Sequence, residues 1–283
     1  MHLPEQGEAG TRERILTRTI TLAQKRLQQR LTQTPPQGLL RDEVEAHFRG
    51  MPTRYWETVT KGELVWALET VHAFQAKLRT WEAPGAPAVA TLRHCPERGF
   101  TKVMVCTWDR PGLLARIAAT FSALRINILQ SDVYTRCDNV ALDIFQVSDL
   151  ENARGIDAKR IEHLVFLLEG SLNEPPRFVS MWARQFHKLY QVPRGNVILD
   201  LDNDSSPQNT VLRVEAPDRL GLLYDVLEAL NECSVNVAQA IVHTDGAMAR
   251  DIFYITDLEG AKITNKLALG TIRKIVLEAL RVA

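Results

Sequence analysis

Asp109-Arg110-Pro111-Gly112-Leu113-Leu114 and Asp218-Arg219-Leu220-Gly221-Leu222-Leu223 stand 109 positions apart, and their likeness decides how the chain is read. At the same offset Asn127-Ile128 meets Asn236-Val237, Gln130 meets Gln239, and Thr135 meets Thr244. A one-residue deletion near Asp138 changes the offset to 108. Asp143-Ile144-Phe145 then meets Asp251-Ile252-Phe253, and Asp149-Leu150-Glu151 meets Asp257-Leu258-Glu259. Two such blocks in the same order are an internal repeat, and the period is too long for a solenoid unit. The chain therefore reads as two homologous domains, which agrees with the ~150 residues per domain expected for its 283 residues.

Periodicity gives each copy the same elements. In the first, Thr101 to Thr107 is a β-rich run, and Pro111 suits the first position of a helix. Leu114, Ile117, Ala118, Phe121 and Leu124 recur at helical spacing. Strands are expected over 126–135 and 140–148, and a second helix on Ile161, Leu164, Val165 and Leu168. The second copy repeats this with strands 209–216, 235–244 and 249–257 and helices 220–232 and 264–281; Asp245-Gly246 is a hairpin turn signal. A βαββαβ sandwich needs one more strand in each copy. Asn196 to Asp202 alternates apolar and polar residues, and Val89 to Arg93 precedes the first copy at the same offset. The expected fold is α+β: two ferredoxin-like βαββαβ domains, each with its last strand supplied from the segment in front of it. The competing arrangement gives strand 196–202 to the back of the first copy.

The expected organisation is a helical N-terminal region (1–87), a first domain (88–173), a helical linker (174–195) and a second domain (196–283). Residues 8–33 place Ile15, Leu16, Ile20, Leu27 and Leu31 on one helical face, a short helix follows at 41–49, another amphipathic helix covers about 61–80, and Glu82 to Pro87 is a linker by composition. These helices are read first as cover for a sheet, and beyond that as a docking arm for a protein partner or a homodimer contact.

Composition excludes several function classes. Lys plus Arg and Asp plus Glu both number 34, so the basic surplus of a nucleic-acid binder is missing. No apolar run approaches the ~20 residues of a membrane span, and no signal-peptide core opens the chain, so no membrane partner and a cytoplasmic location are expected. Cys95, Cys106, Cys137 and Cys233 form no C-x-x-C pair and read as free thiols. Asp200-Leu201-Asp202 reads as outward positions on a strand. No metal site, cofactor or catalytic residue is expected.

The D-R-P-G-L-L…N-I and D-R-L-G-L-L…N-V elements resemble the ACT domain, an amino-acid-sensing module. The run from Asn203 to Asp225, with Asp251 to Asp257, is similar to the C-terminal ACT pair of the bacterial PII uridylyltransferase/uridylyl-removing family, and Met51-Pro-Thr-Arg-Tyr-Trp56 to the stretch preceding that pair. The resemblance covers about residues 40–283. That family also has a nucleotidyltransferase domain with a G-S motif and an H-D domain. No H-D dipeptide occurs here, and only about 40 residues precede the similar region, so the chain is expected not to be an enzyme.

The candidate ligand-binding residues are Asp109, Arg110, Gly112, Leu113 and Asn127 in the first copy and Asp218, Arg219, Gly221, Leu222 and Asn236 in the second. Unpaired N–H groups at a helix N-terminus attract a carboxylate. A glycine lets backbone approach a ligand closely, the aspartates can accept from an ammonium, and the asparagines offer a bidentate amide. Equally, the aspartates can cap their helices, the glycines can serve packing, and the asparagines a turn. The resemblance implies that the loop and the asparagine contact an amino acid across a domain interface, with glutamine the first candidate. The expected function is a regulatory protein that signals to a partner in nitrogen or amino-acid metabolism. The alternatives are a truncated uridylyltransferase-like chain serving a separate catalytic chain, and a ligand-free pairing module.

Overall fold

The structure, a computed structural model, describes residues 25–83, 85–151, 154–173, 195–219, 221–245 and 247–281. Most of the first expected helix and nearly all of the linker at 174–195 lie outside these residues, as do Leu220 and Gly246.

Helix α1 (residues 25–33) opens the described chain. It is followed by α2 (Arg41–Gly50), α3 (Thr53–Thr58) and α4 (Lys61–Arg79). The first repeat then comprises β1 (Ala88–Cys95), β2 (Phe100–Trp108), α5 (Leu113–Ala123), β3 (Ile126–Thr135), β4 (Val140–Asp149) and α6 (Ala158–Asn173). The second comprises β5 (Ile198–Asp202), β6 (Thr210–Pro217), α7 (Leu222–Glu232), β7 (Asn236–Ile241), the short β8 (Thr244–Asp245), β9 (Met248–Thr256) and α8 (Lys266–Arg281).

One antiparallel sheet runs through both repeats in the order β1-β2-β4-β3-β7-β9-β6-β5, with β8 paired to β9. The leading strand lies at the outer edge of its own repeat in both cases: β1 on β2, from Ala88↔Thr107 to Cys95↔Phe100, and β5 on β6, from Ile198↔Glu215 to Asp202↔Val211. Strand 198–202 therefore completes the second unit, not the first. The two units meet at β3 and β7, where Gln130 pairs with Ile241, Ser131 with Ala240 and Asp132 with Gln239. Ser131 and Ala240 are equivalent positions of the repeat, so a local two-fold passes through that pair. Each joining strand carries a bulge at the equivalent place, between Ile128 and Gln130 and between Val237 and Gln239.

Alternation along β2 explains why the first unit needs two covers. Val103 and Val105 face the cluster that includes Phe121, Phe145, Leu164 and Leu168 from α5, β4 and α6. Met104 and Cys106 face the opposite cluster, built with Leu64, Leu68, Val71 and Phe74 of α4 and Val44 and Tyr55 of α2 and α3. The described N-terminal helices thus cover the sheet of the first unit. The paired aspartates at 200 and 202 point outward and are bridged by Arg213 on the neighbouring strand, at 3.1 and 3.0 Å.

Two details of the helix starts differ from expectation. Pro111 does not begin a helix. Gly112, at φ +72°, is the residue before α5, and Gly221, at φ +83°, stands before α7. A left-handed turn is required there, and glycine adopts it without the Cβ penalty. Asp109 and Asp218 do not cap these helices, for neither helix has a side-chain cap hydrogen bond.

Candidate functional site

The turn before α7 is held by its neighbours. The Asp218 N–H donates to the Ala247 carbonyl at 2.8 Å, and the Thr244 hydroxyl donates to the Asp218 carboxylate at 3.3 Å. Arg219 and Asp225 form an ion pair at 2.5 Å, with side chains only 6% and 7% exposed. Gly221 completes the turn, and among the described residues beyond its chain neighbours nothing lies within 4 Å of where a Cβ would stand. The glycine therefore serves an open space rather than tight packing.

That space is a cleft of about 90 Å³ between the two units. From the second unit come Asp218, Arg219, Gly221, Leu222, Thr244 and Asp251, and from the first Ser122, Ile126, Asn127, Ile128 and Leu150. Asn127 is thereby brought beside the turn of the other repeat. The cleft's walls mix apolar side chains with the polar groups of Asn127, Asp218, Arg219, Thr244 and Asp251.

Asp251 was not among the residues expected here. It is buried, 2% exposed. Burial raises its carboxyl to about 7, and Asp218 adds to the rise, whereas a hydrogen bond from the His243 N–H opposes it. The signal was present in the sequence: Asp143 and Asp251 are equivalent and each stands in an apolar strand run. Its counterpart Asp143 is also buried and raised well above the ordinary range, first by burial and then by Asp109. A carboxyl poised in this way responds strongly to an incoming cation.

The turn of the first repeat is built alike but anchored differently. The Asp109 N–H donates to the Asn139 carbonyl at 2.9 Å, and the Thr135 hydroxyl donates to its carboxylate at 2.6 Å. Arg110 donates to the Leu172 carbonyl at the end of α6, and Leu113 is buried in the core. Over Gly112, a Cβ would meet the Asn231 carboxamide at 3.4 to 3.8 Å. Asn236 donates to the Asp257 carbonyl at 3.2 Å. Of the ten expected residues the structure brings Asn127, Asp218, Arg219, Gly221 and Leu222 into one cleft; Asp109, Arg110, Gly112, Leu113 and Asn236 do not line it.

The N-terminal helices touch the junction of the two units directly. Arg54 of α3 pairs with Asp132 at 3.1 Å and donates to the Ala238 carbonyl. Ala238 sits in the β7 bulge, where an extra residue leaves the ladder. Gln130 and Gln239 both donate to Asp132, at 2.9 Å each. Burial raises the Asp132 carboxyl above its ordinary value, against the pull of these donors and of Arg54. The repeat equivalent of Asp132 is Ile241, so only one side of the local two-fold offers an acid to the arm.

Comparison with known proteins agrees with this architecture. The family described as "ACR family N-terminal ACT domain" matches residues 205–282, and that described as "ACT domain" matches 103–159. A bifunctional uridylyltransferase/uridylyl-removing enzyme of Gluconobacter oxydans is 32% identical over 204 residues, 69% of this chain and 21% of that protein. That of Bradyrhizobium diazoefficiens is 33% identical over 226 residues, 78% of this chain and 23% of that protein. The chain thus spans about a fifth of the length of these curated relatives. Among solved structures, an unknown protein from Galdieria sulphuraria matches at 13% identity, with 68% of this chain and 93% of that one covered, but its TM-score of 0.21 carries no argument.

Proposed function

We propose that this chain, which carries two ACT domains and is similar to a uridylyltransferase/uridylyl-removing enzyme, is a non-catalytic regulatory protein that binds a small amino acid between its two domains. The observation that carries this reading is the cleft, where Asn127 of one domain faces the Asp218–Leu222 turn of the other. Its chemistry suits an α-amino acid. The open N-terminal end of α7 at Gly221 receives the carboxylate. Asp218 and Asp251 accept from the ammonium, and Asn127 supplies a directional amide. Glutamine is the first candidate, with its head group inside and its side chain towards the mouth.

Because the ligand touches both domains, it favours the arrangement in which both contacts exist, which is a population shift. Arg54 links the same junction to the N-terminal helices, and so offers a route by which a partner in nitrogen or amino-acid metabolism reads occupancy. The test is thermal melting of the full chain with each of the twenty amino acids at millimolar concentration. Ligand at ~100 times Kd stabilises by ~2.7 kcal/mol, so at least one amino acid raises Tm by several degrees. No shift with any of them refutes the proposal.

A second reading rests on the identity to the bifunctional enzymes: the chain serves uridylyl transfer beside a separate catalytic chain. Incubation of a separate uridylyltransferase catalytic chain with UTP, Mg²⁺ and a PII-type protein gives the same transfer with and without this chain under the first reading. Transfer that depends on this chain would favour the second.

A further inference from the structure

The repeat and its local two-fold create two equivalent crevices, each formed by one domain's glycine turn and the C-terminal end of the other domain's first helix. The residue that closes each crevice is read off the repeat: Ser122 of α5 and Asn231 of α7 are equivalent positions. Opposite Gly221 no described residue beyond its chain neighbours comes within 4 Å of a Cβ position, and Ser122 stands in the cleft wall. Opposite Gly112 the carboxamide of Asn231 stands over the glycine, its Nδ2 3.4 Å and its Cγ 3.7 Å from a Cβ position. These are ordinary van der Waals distances. The half-buried Asn231 side chain therefore fills the place that is left for a ligand on the other side.

We infer that the chain binds one amino acid, not two, and that Asn231 is the residue that closes the second crevice. This rests on the ligand reading of the first. The anchoring of the turns agrees with it. Arg110 is committed to the Leu172 carbonyl at the end of α6, whereas Arg219 lies in the cleft wall against Asp225. The twin crevice keeps its own buried carboxyl, Asp143, so the recognition groups persist where the space does not. A repeat that keeps both turns and fills one crevice gives a sensor with a single, non-cooperative site.

Equilibrium dialysis of the full chain against radiolabelled L-glutamine tests this with three proteins. The native chain binds one glutamine per chain. Asn231→Ser, which copies Ser122 onto the closed side, binds two. Ser122→Asn, which copies the closure onto the open side, weakens binding at least tenfold. Circular dichroism checks that both variants keep the native fold. Two glutamines on the native chain, or one on Asn231→Ser, overturns the inference and leaves the ligand reading standing. Failure of the native chain to bind glutamine, together with no rise in Tm from any of the twenty amino acids, removes both.

Discussion

Replacing Arg54 by Met removes the contact that ties the N-terminal helices to the junction of the two domains. The guanidinium pairs with Asp132 at 3.1 Å, with the two side chains 20% and 16% exposed, and also serves the bulge carbonyl of Ala238. Exposed ion pairs are worth ~0–1 kcal/mol, and breaking a fully buried one costs ~3–5 kcal/mol. This pair lies between those limits. Asp132 keeps the two donors Gln130 and Gln239, which softens the loss. Arg54 also lies over the Tyr134 ring, 5.5 Å from its centroid, a contact worth ~0.5–1 kcal/mol. Together these give a destabilisation of about 2 kcal/mol, or roughly thirtyfold in the equilibrium at ~1.4 kcal/mol per decade. Urea unfolding followed by tryptophan fluorescence reads it, since Trp56, Trp66 and Trp108 all pack in the cluster under these helices. In an Asp132→Leu background the same substitution costs about half as much, because the partner is already gone. A loss below ~0.5 kcal/mol in Arg54→Met, or equal losses in both backgrounds, refutes the latch.

Other consequences follow from the same geometry. Gly221→Val forces a β-branched residue into a turn at φ +83°, costs about 1–2 kcal/mol, and abolishes the ligand-induced rise in Tm by filling the cleft; an undiminished ligand shift would place the site elsewhere. Asp251 is protonated in the folded chain up to about pH 7, but ionises near pH 4 when unfolded. The folded state therefore holds the extra proton between these values, and the group's contribution to stability falls as pH rises from about 4 to 7. Asp251→Asn flattens that part of the urea-midpoint profile; an unchanged profile means the carboxyl is not protonated in the fold. A bound ammonium favours the ionised carboxylate, so affinity for the amino acid rises between pH 6 and 8 in the native chain and not in Asp251→Asn, as calorimetric titration measures.

The repeat made the architecture legible. The match of Asp109–Leu114 to Asp218–Leu223 places a leading strand in front of each copy, and β1 and β5 lie at the edges of their own domains. What the pattern missed was set by tertiary contact. Pro111 looked like a helix start, but the reversal falls on Gly112, because the turn must enter the left-handed region before the helix begins. Half of the candidate residues share one cleft, because a two-fold pairs each turn with the opposite domain, and one-dimensional spacing does not show which crevice stays open. Asn231 and Ser122 differ in volume, not in pattern, so only the packing distinguishes them. Asp251 was visible as a charged residue in an apolar strand, yet its place in the cleft depends on the neighbouring domain. Arg54 is one residue of a short motif in the sequence, and its role depends on the carbonyl that the bulge at Ala238 exposes.

Under the proposed function one small ligand touches both domains at once. This is tested most directly by titrating L-glutamine into isotope-labelled chain while following the Asn127 side-chain amide and the Gly221 backbone amide by heteronuclear NMR. These residues belong to different domains and meet at the same cleft. Both resonances are predicted to move together along one saturating curve with a single Kd. Movement of only one, or two curves with different Kd values, would contradict a shared interdomain site.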